Sequence, residues 1–388
     1  MRKTFLFAIS ILGSLYFMPV EIMFGALIGI LAAWVFLHEN KFKAALFPGA
    51  GIYIWFLGMG TGIGIYRVCF RDYLPKNVLK DVVYVLFPLL FWFLGKNMGS
   101  QKRRCLSSLF LAGTMIAFFD LMHGLSQVFS EWGKEMSLYQ FRKVVGAGHP
   151  LIMLTLFLYI FMSREILLKR KQVYGCMGIL LMDIVIHFSR ITILGICICL
   201  LYQKVLRDPV RLFRYGVLLV IGVAAAYGIF PSVFDGFMDR LENSLMEVSY
   251  DQETWEHEEI VTNWRGYEVY CEIKKFRNVG MLEKINGGGF GAQLDVGGKA
   301  YLVTTEETLP FLHNGYFSTL MIWGVLGCAA YIFLLSVLYL GNRTLVGEGR
   351  GLWKALVVII ALDTLFVHGP FFSTGVAGIF LYLGVLGE

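Results

Sequence analysis

A chain of 388 residues that is 57% hydrophobic and only 16% charged carries more apolar surface than a single soluble core of that size buries. Its 34 basic and 28 acidic residues leave a net charge of +6, a modest excess that membrane topology accounts for, so no nucleic-acid partner is implied. Apolar runs of about twenty residues recur from end to end, the length that spans roughly 30 Å of hydrocarbon. The expected fold is therefore all-α: a polytopic membrane helical bundle forming one integral membrane domain over 1–388.

In chain order, the predicted spans are 4–20, 22–37, 45–66, 79–95, 105–123, 149–163, 173–188, 190–206, 213–230, 315–340, 353–369 and 371–386, about twelve transmembrane helices. The first follows Arg2 and Lys3 like a signal peptide, but no small-x-small site precedes Glu21 and a second span follows at once, so it is read as a helix. Spans 173–188 and 190–206 are divided only by Phe188, Ser189 and Arg190, which predicts a tight turn at the bilayer edge. Lys and Arg gather in alternate loops: Lys41, Lys43, Lys96, Lys102, Arg103, Arg104, Lys169, Arg170, Lys171, Lys204, Arg207 and Arg211 stand in one set. The other set is poorer, which puts both termini in the cytoplasm and the long segment 231–314, between the ninth and tenth helices, outside. Six cysteines lie in or beside apolar spans and Cys271 stands alone in the outer loop, so neither a disulfide nor a metal framework is implied.

The outer loop is too long to be structureless, and two helices with a glycine hinge are expected in it. Phe234, Phe237, Met238, Leu241 and Leu245 form one helical stripe, and Trp264, Tyr267 and Cys271 another. The acidic run around Glu253, Glu256, Glu258 and Glu259 reads as a solvated face. The stretch NGGGFG at 286–291 lacks the lysine and Ser/Thr of a P-loop. Its glycines, Gly289 and Gly291 among them, serve either a hinge or close backbone approach to a substrate.

Three residues at the outer membrane edge carry candidate chemistry. Arg190, in FSRIT, starts a helix, where the dipole favours an anion; it holds either a bound anion or a lipid phosphate. Arg265, in NWRGYEVY, is flanked by aromatics and is either an anion ligand or the wet face of an amphipathic helix. His313, in LPFLHNGYF, directly precedes a long apolar helix; the dipole there disfavours an imidazolium, which suits a general base, while the plainer reading is an interfacial histidine bonded to backbone. Within the spans, Asp120 and His123, Asp183 and His187, and Asp363 and His368 invite a proton relay. Asp183 and His187 share a helix face that leads up to Arg190, and a structural pair orienting that arginine is the favoured reading.

Taken together, FSRIT, the arginine after a tryptophan in NWRGYEVY, NGGGFG, HNGYFSTLMIWGVLG and the upstream RKVVGAGHP resemble the O-antigen ligase and O-antigen polymerase superfamily, over roughly 140–330. The resemblance implies a glycosyltransferase of the helical GT-C type in the bacterial cytoplasmic membrane, working in the bilayer on a glycan donor linked to polyprenyl diphosphate. Arg190 and Arg265 would grip the diphosphate, and His313 would deprotonate the hydroxyl of a glycan or lipid acceptor, with inversion. Arg142, Asn314, Gly289 and Gly291 would contact substrate more weakly. The resemblance implies no cofactor, metal or sugar nucleotide, and it implies other polysaccharide-assembly membrane proteins as partners. Polymerisation is the favoured activity, with ligation to lipid A core or protein as the alternative. A transporter or flippase is the rival from another class; it predicts ionisable residues on broken mid-membrane helices related by an internal repeat, and the sequence shows no such repeat.

Overall fold

The computed structural model describes residues 2–37, 42–70, 72–98, 102–130, 149–187, 192, 194–198, 255–302, 307–341 and 345–387. Most of the expected span 190–206, all of 213–230, the stripe from Phe234 to Leu245, and the residues Arg142 and Arg190 lie outside these. Among the described residues there is no strand, only an isolated antiparallel bridge between Leu294 and Leu309. The helices are α1 (Arg2–Phe17), α2 (Val20–Leu37), α3 (Ala50–Cys69), α4 (Pro75–Asn97), α5 (Lys102–Ser130), α6 (Pro150–Met162), α7 (Arg170–His187), α8 (His257–Thr262), α9 (Trp264–Asn278), α10 (Met281–Asn286), α11 (Gly315–Gly341), α12 (Gly347–Phe366), α13 (Thr374–Ala377) and α14 (Ile379–Leu386).

Five of them, α2, α3, α4, α5 and α11, are long and apolar enough to cross a membrane by length and composition. The outside of the bundle agrees with that reading. Helix α2 buries Met23, Leu27 and Trp34 and exposes Ile22, Ile28, Phe36 and Leu37, an arrangement that is costly in water and neutral against lipid tails. This is a helical membrane protein.

Two expected spans take a different form. The stretch 315–340 is not one rod: Gly324 has φ 67° and ψ −164°, outside the helical region and accessible to glycine almost alone. Tyr316 and Tyr331 would stand about 22 Å apart along a straight helix, yet their rings are 5.7 Å apart. The Cys328 thiol likewise reaches the Tyr316 carbonyl at 3.6 Å. The short half, 315–323, therefore folds back on the long half, 325–341, which at seventeen residues is about 25 Å long.

The expected span 371–386 is shortened in the same way. Residues 367–373 turn, and of the helices that follow, α13 is buried from Gly375 on and α14 throughout. Helix α14 lies against α4 with Gly384 and Gly95 backbone to backbone; a side chain at Gly95 would strike the Leu381 carbonyl. Small residues permit that approach where no water drives the helices together. The C-terminal stretch is core.

Candidate active site at the start of the broken helix

The described residues of the segment 231–314 fold onto the bundle. Helix α8 opens with a capping box in which Glu256 and Glu259 each bond the other's backbone, so two members of the acidic run have a structural job. Asn263 then caps α9, its side-chain oxygen accepting from the Gly266 N–H at 3.0 Å. That cap puts Trp264 and Arg265 in the first turn of α9 and aims the next turn inward. The buried face of α9 is not a plain apolar stripe: beside Tyr267 and Val269 it carries Glu268 and Glu272, 1% and 2% exposed.

Glu268 meets His313. Its Oε2 accepts the His313 backbone N–H at 2.9 Å, its Oε1 lies 2.9 Å from the imidazole Nδ1, and the Trp264 indole N–H also donates to Oε1. A buried carboxylate with three donors is well satisfied. Because a carboxylate accepts, Nδ1 carries the proton and donates, which leaves the lone pair on Nε2. The His313 side chain is 34% exposed whereas that of Glu268 is 2% exposed, so the carboxylate is sealed behind the ring and the ring remains reachable.

The segment carrying His313 is held by α11. Ser318 accepts the Leu312 N–H at 2.8 Å and donates to its carbonyl at 3.2 Å. Asn314 caps α11, accepting the N–H groups of Tyr316 and Phe317 at 3.0 and 3.3 Å. Gly315 permits close approach to the turn after α12, where a Cβ would strike the His368 carbonyl. His368 is thereby set beside His313, ring centroids 5.1 Å apart, with its own Nδ1–H donated to the Leu312 carbonyl at 2.8 Å. Two imidazoles thus stand side by side, each anchored through Nδ1. Arg265 lies within electrostatic reach of His368, so arginine, glutamate and both histidines belong to one neighbourhood.

The glycine stretch is engaged elsewhere. The break at Gly324 frees the carbonyls of Met321 and Ile322, and these accept the N–H groups of Gly288 and Gly289 at 2.9 and 2.8 Å. Phe290 donates to the Gly60 carbonyl at 2.9 Å and Gly291 to Asp81 Oδ2 at 2.7 Å. Gly289 and Gly291 both have positive φ, and a Cβ on either would press on Ile63 or Val78. The close backbone approach expected of these glycines is to the helices α3, α4 and α11. Packing accounts for them.

The expected proton-relay pairs are rearranged. His123 is exposed, whereas Asp120 turns inward, accepts from Tyr16 at 2.6 Å, and lies 3.7 Å from His187. Asp363 does not hold the His368 ring; it accepts the Gly369 N–H at 3.1 Å and closes the turn after α12. Asp183 and His187 do pair, 3.2 Å apart. Arg67 is tied to Asp72 at 3.2 Å and to Glu283 at 2.9 Å, joining α3 to α10. Burial pushes the Glu272 carboxyl up to about 7, and the nearby Lys275 only partly opposes this; its Oε2 has no hydrogen-bond partner among the described residues.

Sequence reasoning missed Glu268. The available signal was spacing: Trp264, Glu268 and Glu272 recur every four residues and so share a helix face with aromatic company. Comparison with known proteins adds no family: no protein-family model matches this chain, and no curated protein matches it.

Proposed function

We propose that this protein is a membrane glycosyltransferase of cell-surface polysaccharide assembly, which polymerises glycan units carried on polyprenyl diphosphate at the outer face of the cytoplasmic membrane. The observation that carries the reading is the Glu268–His313 couple: a sealed carboxylate fixes the tautomer of a reachable imidazole, as a general base requires. Nε2 of His313 takes the proton of an acceptor hydroxyl, whose oxygen attacks the anomeric carbon from the face opposite the diphosphate. The bond from that carbon to the diphosphate oxygen breaks, and polyprenyl diphosphate leaves with the electron pair. Arg265 stands in the first turn of α9, where guanidinium and helix dipole both favour an anion on that side. The matching role of Arg190 rests on the sequence resemblance alone, as do the polymerase assignment and the secondary contacts of Arg142. Asn314 supports the reading indirectly, by fixing where His313 stands.

A transporter draws support from the broken helix α11, since unwound carbonyls can bind ions. In this chain the carbonyls of Met321 and Ile322 already accept Gly288 and Gly289, which favours an enzyme.

The test is reconstitution in liposomes with a single lipid-linked repeat unit, products being resolved on a gel. A ladder is expected. His313→Ala should slow it by about 10²–10⁴-fold and Arg265→Ala by at least about a hundredfold, the worth of one charge-stabilising contact. An undiminished ladder in His313→Ala would overturn the reading. Transfer that appears only when lipid A core or protein acceptor is added would reassign the chain as a ligase.

A further inference from the structure

A second polar cluster lies inside the bundle. Helix α7 contributes Asp183 and His187, one turn apart on one face, and α5 contributes Asp120. Their three candidate ligand atoms all lie within 4.8 Å of one another, and His187 Nε2 is 3.7 Å from Asp120 Oδ2. Atoms bound about 2.1 Å from one tetrahedral ion are about 3.4 Å apart, so the three would draw in by at most about 1.4 Å to share one.

Hydrogen bonding leaves the right atoms over. Tyr16 donates to Asp120 Oδ1 at 2.6 Å, and Asp120 Oδ2 has no hydrogen-bond partner among the described residues. Asp183 Oδ1 is paired with His187 Nδ1 at 3.2 Å outside hydrogen-bonding geometry and accepts no hydrogen bond among the described residues. The side chains are 10% and 2% exposed, so bulk solvent does not reach them. His187 Nδ1 sits 3.1 Å from the Asp183 carbonyl; a carbonyl only accepts, so Nδ1–H donates and Nε2 turns its lone pair toward Asp120. An imidazole pinned through one nitrogen with the other facing a carboxylate, here Asp120, is the arrangement of a metal-ligating histidine, and Asp183 Oδ1 lies beside the same ring. His149, which packs edge-on against Tyr16 at 5.5 Å, spends Nδ1 on the Leu151 N–H and caps α6.

Charge leads to the same conclusion. Among the described residues two carboxylates share one imidazole, and an ionised carboxylate held away from water is strongly unfavourable unless a cation sits beside it. A divalent cation offsets both. We propose that Asp120, Asp183 and His187 bind one divalent metal ion of the class that accepts mixed nitrogen and oxygen ligands, such as Zn²⁺ or Mn²⁺. The ion clamps α5 to α7, with Tyr16 of α1 bonded to one ligand, and its last ligand stands three residues before Arg190 in the chain. It is a brace, and it is independent of the glycan-transfer reading because its test uses no activity.

Protein purified in detergent is stripped with chelator, then incubated with Zn²⁺, Mn²⁺ or Co²⁺ and desalted. The expected result is about one retained equivalent per chain, a rise in melting temperature that chelator reverses, and loss of both in Asp183→Asn and His187→Gln. For Co²⁺ and Mn²⁺, visible absorption and ¹⁴N hyperfine coupling should report an imidazole ligand. Wild type that retains no metal and whose melting temperature ignores all three ions overturns the proposal, and leaves Asp120, Asp183 and His187 as a metal-free ionic triad. Retention that survives in both variants overturns it as well. Should the variants fail to fold, the wild-type spectra decide: bound ion without nitrogen coupling counts against the site.

Discussion

Glu268 gives His313 its direction. An imidazole at the end of a flexible segment can present either nitrogen, and the cost of the wrong tautomer is most of the catalytic effect. The carboxylate fixes both ring and backbone, bonding Nδ1 and the His313 N–H together. Glu268→Gln keeps the shape but removes the charge and one acceptor, so turnover should fall by about 10²–10⁴-fold with KM little changed; steady-state kinetics on a lipid-linked donor measure both. A fall confined to KM would mean that Glu268 shapes a binding surface. Glu272, one turn further along α9, answers to pH instead. Its carboxyl is raised from 4.5 to about 7 by burial, so the folded state holds a proton there that the unfolded chain releases earlier. The Glu272 contribution to stability is therefore fully present below about pH 4.5, falls as pH rises to about 7, and is absent above it, a loss on the order of 3 kcal/mol. Glu272→Gln should flatten this decline and melt higher than wild type at pH 8 in thermal unfolding scans. Neither glutamate stood out in the sequence, because a single carboxylate on a helix in a polar loop reads as surface.

At the scale of elements, the break in α11 connects the glycine stretch to the site. Gly324 turns the chain back, the freed carbonyls take Gly288 and Gly289, and the short half 315–323 presents Asn314 and His313 at its start. A side chain at Gly324 would strike the Ile285 carbonyl and would adopt a backbone region costing about 1–3 kcal/mol without the clash. Gly324→Ala should therefore lower the melting temperature clearly, whereas Gly58→Ala, which meets nothing within 4 Å, should leave it nearly unchanged. The apolar run 315–340 could not reveal the break in advance. Composition says that residues belong in hydrocarbon, and a helix folded back on itself has the same composition as a straight one.

For the whole molecule, the asymmetry of Lys and Arg predicts the sides on which loops stand. Leu282 is 77% exposed and Val346 is 82% exposed, and the expected topology puts the first outside and the second in the cytoplasm. In a cysteine-free background, Leu282→Cys should react with a membrane-impermeant maleimide on intact cells, and Val346→Cys only after permeabilisation. The reverse pattern would invert the topology and move His313 to the cytoplasmic side. What the sequence determined by itself was the class of molecule and the neighbourhoods worth watching: long apolar runs have one favourable environment, and a histidine before an apolar helix is placed at an edge by its position alone. What only the tertiary structure decided was the partnership. Glu268 and His313 are 45 positions apart, and Asp120 meets His187 across two helices. Such pairings depend on how helices rotate and cross. Rotation about a helix axis is set by packing against its neighbours, which no local pattern encodes.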